Sequence, residues 1–186
     1  MTAIRRDGLP PDLQARLRHM AALVRVLIVL GAVLLPVCFV WVWLVPGHAH
    51  DQIKDSAGID VDAMPLHTQA AGALWTLVPL AIWMLALFRL WQLFGEYAQA
   101  RVFSHRALVS LRGFARCAMA TAIAGPLYGA VLSVIVTLDR KPGSRILNLA
   151  FTADDYAMLL LGAVLLTIAS VMAEAARVAE DNAGFV

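Results

Sequence analysis

The sequence predicts an all-α integral membrane protein, a four-helix bundle with both N- and C-termini in the cytoplasm. Three observations predict it. The 186 residues are 61% hydrophobic and 15% charged, against about 45–50% and about 25% in an ordinary soluble domain. Apolar blocks near the length of about 20 residues that crosses a ~30 Å hydrocarbon core alternate with polar segments. Lysine and arginine are divided unequally among those segments, which sets an orientation. The formal charge of +2 is too small to suggest a nucleic-acid surface, so no direct nucleic-acid binding is expected. Both cysteines, Cys38 and Cys117, lie inside apolar blocks and read as small core residues, not as a disulfide framework or thiolate site.

The chain opens on a polar stretch with Arg5 and Arg6, and Asp12 after Pro10-Pro11 is placed to cap a helix. Leu13, Leu17, Met20 and Val24 follow helical spacing beside Arg16, Arg18 and His19, an amphipathic lead-in to the first span. That span covers residues 21–45, with Arg25 able to lift its guanidinium to the headgroups. Pro36 should kink it, and Trp41 and Trp43 close it as interfacial anchors. A cleaved signal would have a shorter apolar region. Residues 46–69 read as a solvated, extracytoplasmic interfacial loop. In it His48, His50 and Asp51 are weak metal candidates, because a His-x-His pair on an extended chain can chelate zinc or copper. A complete site would need further ligands from elsewhere.

The second span covers residues 70–94, with Trp75 and Trp91 as anchors. Arg89 lies near its inner end, where an intramembrane arginine is a functional candidate and snorkelling is the competing reading. A basic cytoplasmic bridge, residues 95–114, follows. Ser104 can cap the third helix, with Phe103 and Leu108 at the positions of a hydrophobic staple. The third span covers residues 115–138. Cys117, Thr121, Gly125, Gly129, Ser133 and Thr137 put a small residue at every fourth position, which lets a neighbouring backbone come close. That face fits an intrachain helix or, as the open alternative, a second copy in a homo-oligomer. Pro126 should bend the helix.

Residues 139–155 form a second extracytoplasmic connection, and Thr152-x-x-Asp155 fits a capping pattern before the fourth span, residues 156–173. Beyond it Glu174, Arg177 and Asp181 are spaced for pairing on one helix. Eleven of the lysines and arginines fall on the side of the termini and the bridge and four on the other, which places the termini in the cytoplasm. The same arginines would meet anionic headgroups of the lipid bilayer, at about 1 kcal/mol each near the surface.

The bridge with the third span, and the tail from Val171 to Val186, resemble domain-of-unknown-function family 2975, small four-helix bacterial inner-membrane proteins. In that family a Gly-x-x-Phe-Ser type signature opens the third helix, and an acidic pair followed by a few small or apolar residues ends the chain. Here these stand as Ala100-Arg101-Val102-Phe103-Ser104, with alanine in the place of glycine, and as Glu180-Asp181-Asn182 followed by Ala183-Gly184-Phe185-Val186. The resemblance covers most of the chain from the first span onward. Many members are encoded beside a small helix-turn-helix regulator, which implies, by analogy, a membrane partner that restrains or tunes a transcription factor.

The leading expectation is therefore a non-enzymatic regulatory or interaction protein of the bacterial inner membrane. Its docking surface would be Arg101, Arg106, Arg112 and Arg116 with Glu174, Arg177 and Asp181. The alternative is a small transporter or a ligand- or cofactor-binding membrane subunit. A haem bundle would need inward histidines at matched depth, but His19, His48, His50, His67 and His105 fall at span ends. Transport would favour acids near the midplane, and the spans carry none there. No nucleophile-base pattern, His-Glu-x-x-His or phosphate loop occurs, so no enzyme and no cofactor are expected.

Overall fold

The computed structural model describes residues 11–45, 48–57, 65–99, 101, 104–138 and 146–184. They form α1 (Pro11–Leu44), α2 (His48–Ala57), α3 (Leu66–Ala98), α4 (His105–Thr137) and α5 (Ala153–Gly184), with no strand among the described residues. All but α2 are long and apolar enough to cross a membrane, and the chain is a multi-pass membrane protein. Each long helix has 32 to 34 residues and so measures about 50 Å, more than the ~30 Å hydrocarbon core, which leaves helical ends in the interface or in water. α1, α3 and α4 run through Pro36, Pro79 and Pro126. Each proline removes one ladder donor, a loss that transmembrane helices tolerate.

Each long helix packs most extensively on its neighbour in sequence: α1 on α3, α3 on α4, α4 on α5. Two buried clusters hold the ends of this antiparallel row. At one end Leu93 of α3, Ala107 and Leu111 of α4 and Ala169 of α5 meet. At the other Trp43 of α1, Ile53 of α2 and Leu132 and Val136 of α4 meet. α4 is the central element, and the outer helices keep lipid-facing apolar side chains such as Leu27, Val33, Leu160 and Val164 uncovered. Such exposure stabilises a protein in a bilayer and would be an aggregation hazard in water.

Several elements differ from the sequence expectation. The segment expected to be an interfacial loop contains α2, a polar helix that sinks Ile53, fully buried, onto Trp43, Leu132 and Val136. Ala49 and Ile53, one turn apart, form its buried side, an apolar stripe of only two residues in a segment whose polarity suggests a loop. Pro11 already belongs to α1, which puts Asp12 inside the first turn, not at the cap. Trp43 is no interfacial anchor: it is buried and lies over Gly72 of α3. Trp75 is also turned inward, donating from Nε1 to the Tyr128 carbonyl of α4 at 3.3 Å. Both tryptophans fill helix contacts that a linear pattern of span ends does not display.

The small-residue face of α4 receives an unexpected neighbour. Toward its C-terminus it is met by the non-helical segment 146–152, not by a helix. The Ile146 amide donates to Thr137 Oγ1 at 3.3 Å and the Asn148 amide to Ser133 Oγ at 3.0 Å. Extended backbone next to lipid is tolerated only where protein satisfies its polar groups, and these hydroxyls do so. Beyond this segment Asp155 stands over Gly125, where any Cβ would collide with its Oδ1. Asp155 closes the expected capping box, accepting from the Thr152 amide and hydroxyl at 2.8 Å each while its own amide donates to Thr152 Oγ1 at 3.2 Å. The close helix-helix approach lies elsewhere, at Gly162 of α5, where a Cβ would stand 2.9 Å from the Ala115 carbonyl and 2.5 Å from Met119 Cγ. Gly129 is buried, and Thr121 bonds back to the Cys117 carbonyl at 2.9 Å.

Candidate functional site

The turn between α3 and α4 is organised by Glu96. α3 ends at Ala98 and α4 begins at His105, so most of the expected 95–114 bridge is helix and the connection is short. The Glu96 carbonyl accepts the amides of Gln99 and Arg101 at 3.0 and 3.1 Å. Its carboxylate accepts from the Ser104 hydroxyl at 2.9 Å and from Arg101 Nε at 3.1 Å. Ser104 caps α4 as expected, accepting the Ala107 amide at 3.1 Å. One hydroxyl therefore bonds the helix start and the carboxylate together. Glu96 is 9% exposed; a carboxylate is this buried only when its charge is met, and Arg101 and Ser104 meet it. Phe103, the other half of the expected staple, lies outside the described residues.

The arginines expected to form one docking surface are spread around the helix ends. Arg101 is tied to Glu96 with its side chain 52% exposed. At about 100° per residue, Arg112 and Arg116 share a face of α4 that Arg106 does not. Arg106 and Arg116 are exposed and Arg112 partly buried. On α5, Arg177 pairs with Glu174 at 2.6 Å, both exposed. The Asp181 backbone is helical, and its side chain lies outside the described residues. Arg89 does not simply leave the bundle: its stem crosses onto α4, with Cδ 2.9 Å from where a Cβ of Gly113 would be.

α1 and α4 flank α3 without an extensive contact between them. The space left is a crevice of about 520 Å³ whose lining includes Arg25, Trp91, Gln92, His105, Arg106 and Ser110, with Glu96 at its edge. Arg25 lies over the Trp91 ring with Cζ 3.8 Å from the centroid, a cation-π contact. Its Nε is buried with no hydrogen-bond acceptor. Arg25 and Trp91 also line an apolar furrow of about 610 Å³ that runs along α1 past Val26, Val29 and Leu30 to Val33. No single sequence pattern announces this crevice, because its parts come from three helices.

The weak metal candidates are not brought together. α2 is helical over His48, His50 and Asp51, and two residues apart on a helix are about 200° apart, which removes the extended-chain chelate. His48 instead stacks on Trp41, centroids 6.0 Å apart, Asp51 is exposed, and the His50 side chain lies outside the described residues. Among the described residues no group of three or more His, Cys, Asp or Glu is gathered for a metal ion.

No curated protein and no solved structure matches the chain. A family model, described as protein of unknown function (DUF2975), matches residues 14–184. That match takes in the last turns of the amphipathic lead-in, all four long helices, the Glu96 turn and the extended segment, so the chain belongs to the DUF2975 family of proteins of unknown function.

Proposed function

We propose that the chain is a non-enzymatic protein of the bacterial inner membrane that acts as a regulatory or interaction partner. Its docking surface is the arginine-rich end, turned to the cytoplasm. The observation that carries this reading is the architecture of that end. The Glu96 turn displays Arg101 and Arg106, while α5 runs on to Gly184 and carries the exposed Arg177 and Glu174 pair. Ala169 packs beside Ala107 and Leu111 near the start of α4. The remaining fifteen residues of α5, to Gly184, therefore extend about 22 Å farther. A projecting helical arm beside a basic turn is a surface for a cytoplasmic protein, and a helix-turn-helix transcription regulator is the partner that the family's setting favours. Operator occupancy by a candidate helix-turn-helix regulator tests it, measured with the membrane protein present, deleted, and truncated after Met172. Release of the regulator on deletion and on truncation is expected. Identical occupancy in all three strains would sink the proposal.

A further inference from the structure

We infer that the crevice between α1, α3 and α4 with its adjoining furrow is a binding site for one anionic phospholipid, the phosphate held by Arg25 and Arg106 and an acyl chain laid along α1. The inference goes beyond the proposed partner protein and does not depend on it. Three observations carry it. The first is charge: the crevice is lined by Arg25, Arg106 and His105 and by one acid, Glu96, whose carboxylate is already engaged by Arg101 and Ser104. Neither Arg25 nor Arg106 makes an ion pair among the described residues, and the Arg25 Nε is buried without an acceptor. Among the described residues the Arg25 guanidinium is therefore met only by the Trp91 ring, and a phosphate is the anion its remaining donors fit best.

The second observation is continuity. Arg25 and Trp91 line both the polar crevice and the apolar furrow, so a charged head in one can be covalently continuous with a chain in the other. From Arg25 to Val33 the furrow follows the helix for about 12 Å. A free anion would use only the first part, and a neutral hydrocarbon only the second. The third is depth. Nineteen helical rises separate Arg25 from Leu44, the end of α1, or about 28 Å, close to the ~30 Å hydrocarbon thickness. With Leu44 at one boundary of the hydrocarbon, the guanidinium comes within reach of the phosphates at the other, and the Trp91 ring it lies on helps hold it there.

The test is native mass spectrometry of the full chain released from neutral detergent, with phosphatidylglycerol or phosphatidylcholine of identical acyl chains. Retention of one phosphatidylglycerol, favoured about tenfold over phosphatidylcholine, is expected, which corresponds to about 1.4 kcal/mol. Arg25→Gln and, separately, Arg106→Gln should abolish that preference, while Arg16→Gln, on the opposite side of α1, should keep it. Arg106 is exposed, so its variant folds even if Arg25→Gln does not. Val29→Trp, which fills the furrow, should lower lipid retention, and inorganic phosphate in excess should not displace the lipid. Equal retention of the two lipids, or a preference that survives both crevice variants, overturns the inference. So does displacement by inorganic phosphate, which would mark a site for the free anion.

Discussion

Replacing Glu96 by alanine tests whether the turn between α3 and α4 is held by one carboxylate. The Ser104 hydroxyl donates to it at 2.9 Å, and a hydrogen bond to a charged group contributes about 1.5–3 kcal/mol. The Arg101 pair, at 3.1 Å with the arginine side chain 52% exposed, is screened by water and adds about 0.5 kcal/mol. Ser104 keeps its cap on the Ala107 amide, so the helix start itself survives. The expected loss is about 2–3 kcal/mol, or roughly 5–10 °C for a chain of this size. The assay is thermal unfolding in detergent followed by tryptophan fluorescence, parent and variants at one scan rate because membrane proteins commonly unfold irreversibly. Glu96→Gln, which keeps an acceptor for Ser104 without the charge, should lose about half as much, and Arg101→Gln least of all. In a double-mutant cycle Glu96→Ala and Ser104→Ala should couple by about 1–2 kcal/mol. A Glu96→Ala midpoint within about 1 °C of the parent, or strict additivity with Ser104→Ala, refutes the reasoning.

Gly162→Ala should cost about 1–3 kcal/mol by overpacking α5 against the Ala115 carbonyl and Met119; an unchanged melting midpoint would show that the helices can separate freely there. Ile53→Ala removes the fully buried anchor of α2 and should cost about 2–4 kcal/mol. Hydrogen exchange should rise first across residues 48–57, and uniform protection would count against docking by that side chain. Ser133→Ala leaves the Asn148 amide without its acceptor, at about 1–3 kcal/mol. Faster exchange at Asn148 and Ile146 is the signature, and none is expected from Thr167→Ala, whose hydroxyl only bonds back along α5. Orientation is checked by impermeant thiol labelling of Gln99→Cys and Asp55→Cys in intact cells, with the parent as blank. Only the second should label, and labelling of the first alone would invert the topology.

How much could be read without coordinates follows from the range of each interaction. Ser104 and the Thr152-x-x-Asp155 box were legible because capping is a contact between residues three apart, so spacing and chemistry coincide in the sequence. The alternation of apolar blocks was legible because a bilayer imposes one length on every span. Glu96 was not singled out, since its importance comes from a buried turn that gathers Arg101 and Ser104 around it. α2 was missed because its apolar stripe is only Ala49 and Ile53, two residues in an otherwise polar segment. On the small-residue face of α4, Ser133 and Thr137 receive backbone amides of 146–148 and Gly125 receives Asp155, and no local rule says which neighbour will lie on such a face.

The sequence by itself determined that this is an all-α chain of four long apolar helices, and where α4 and α5 are capped, because hydropathy over about 20 residues and capping over three act locally along the chain. Only the tertiary structure decided which side chains meet. It put Trp43 and Trp75 between helices and not at the interface, laid residues 146–152 on Ser133 and Thr137, and brought Arg25 over Trp91 beside Arg106. The physical reason is that within lipid the hydrophobic effect does not choose among apolar neighbours. The choice falls to shape and to unmet polar groups, and both are properties of surfaces that exist only once the helices are side by side.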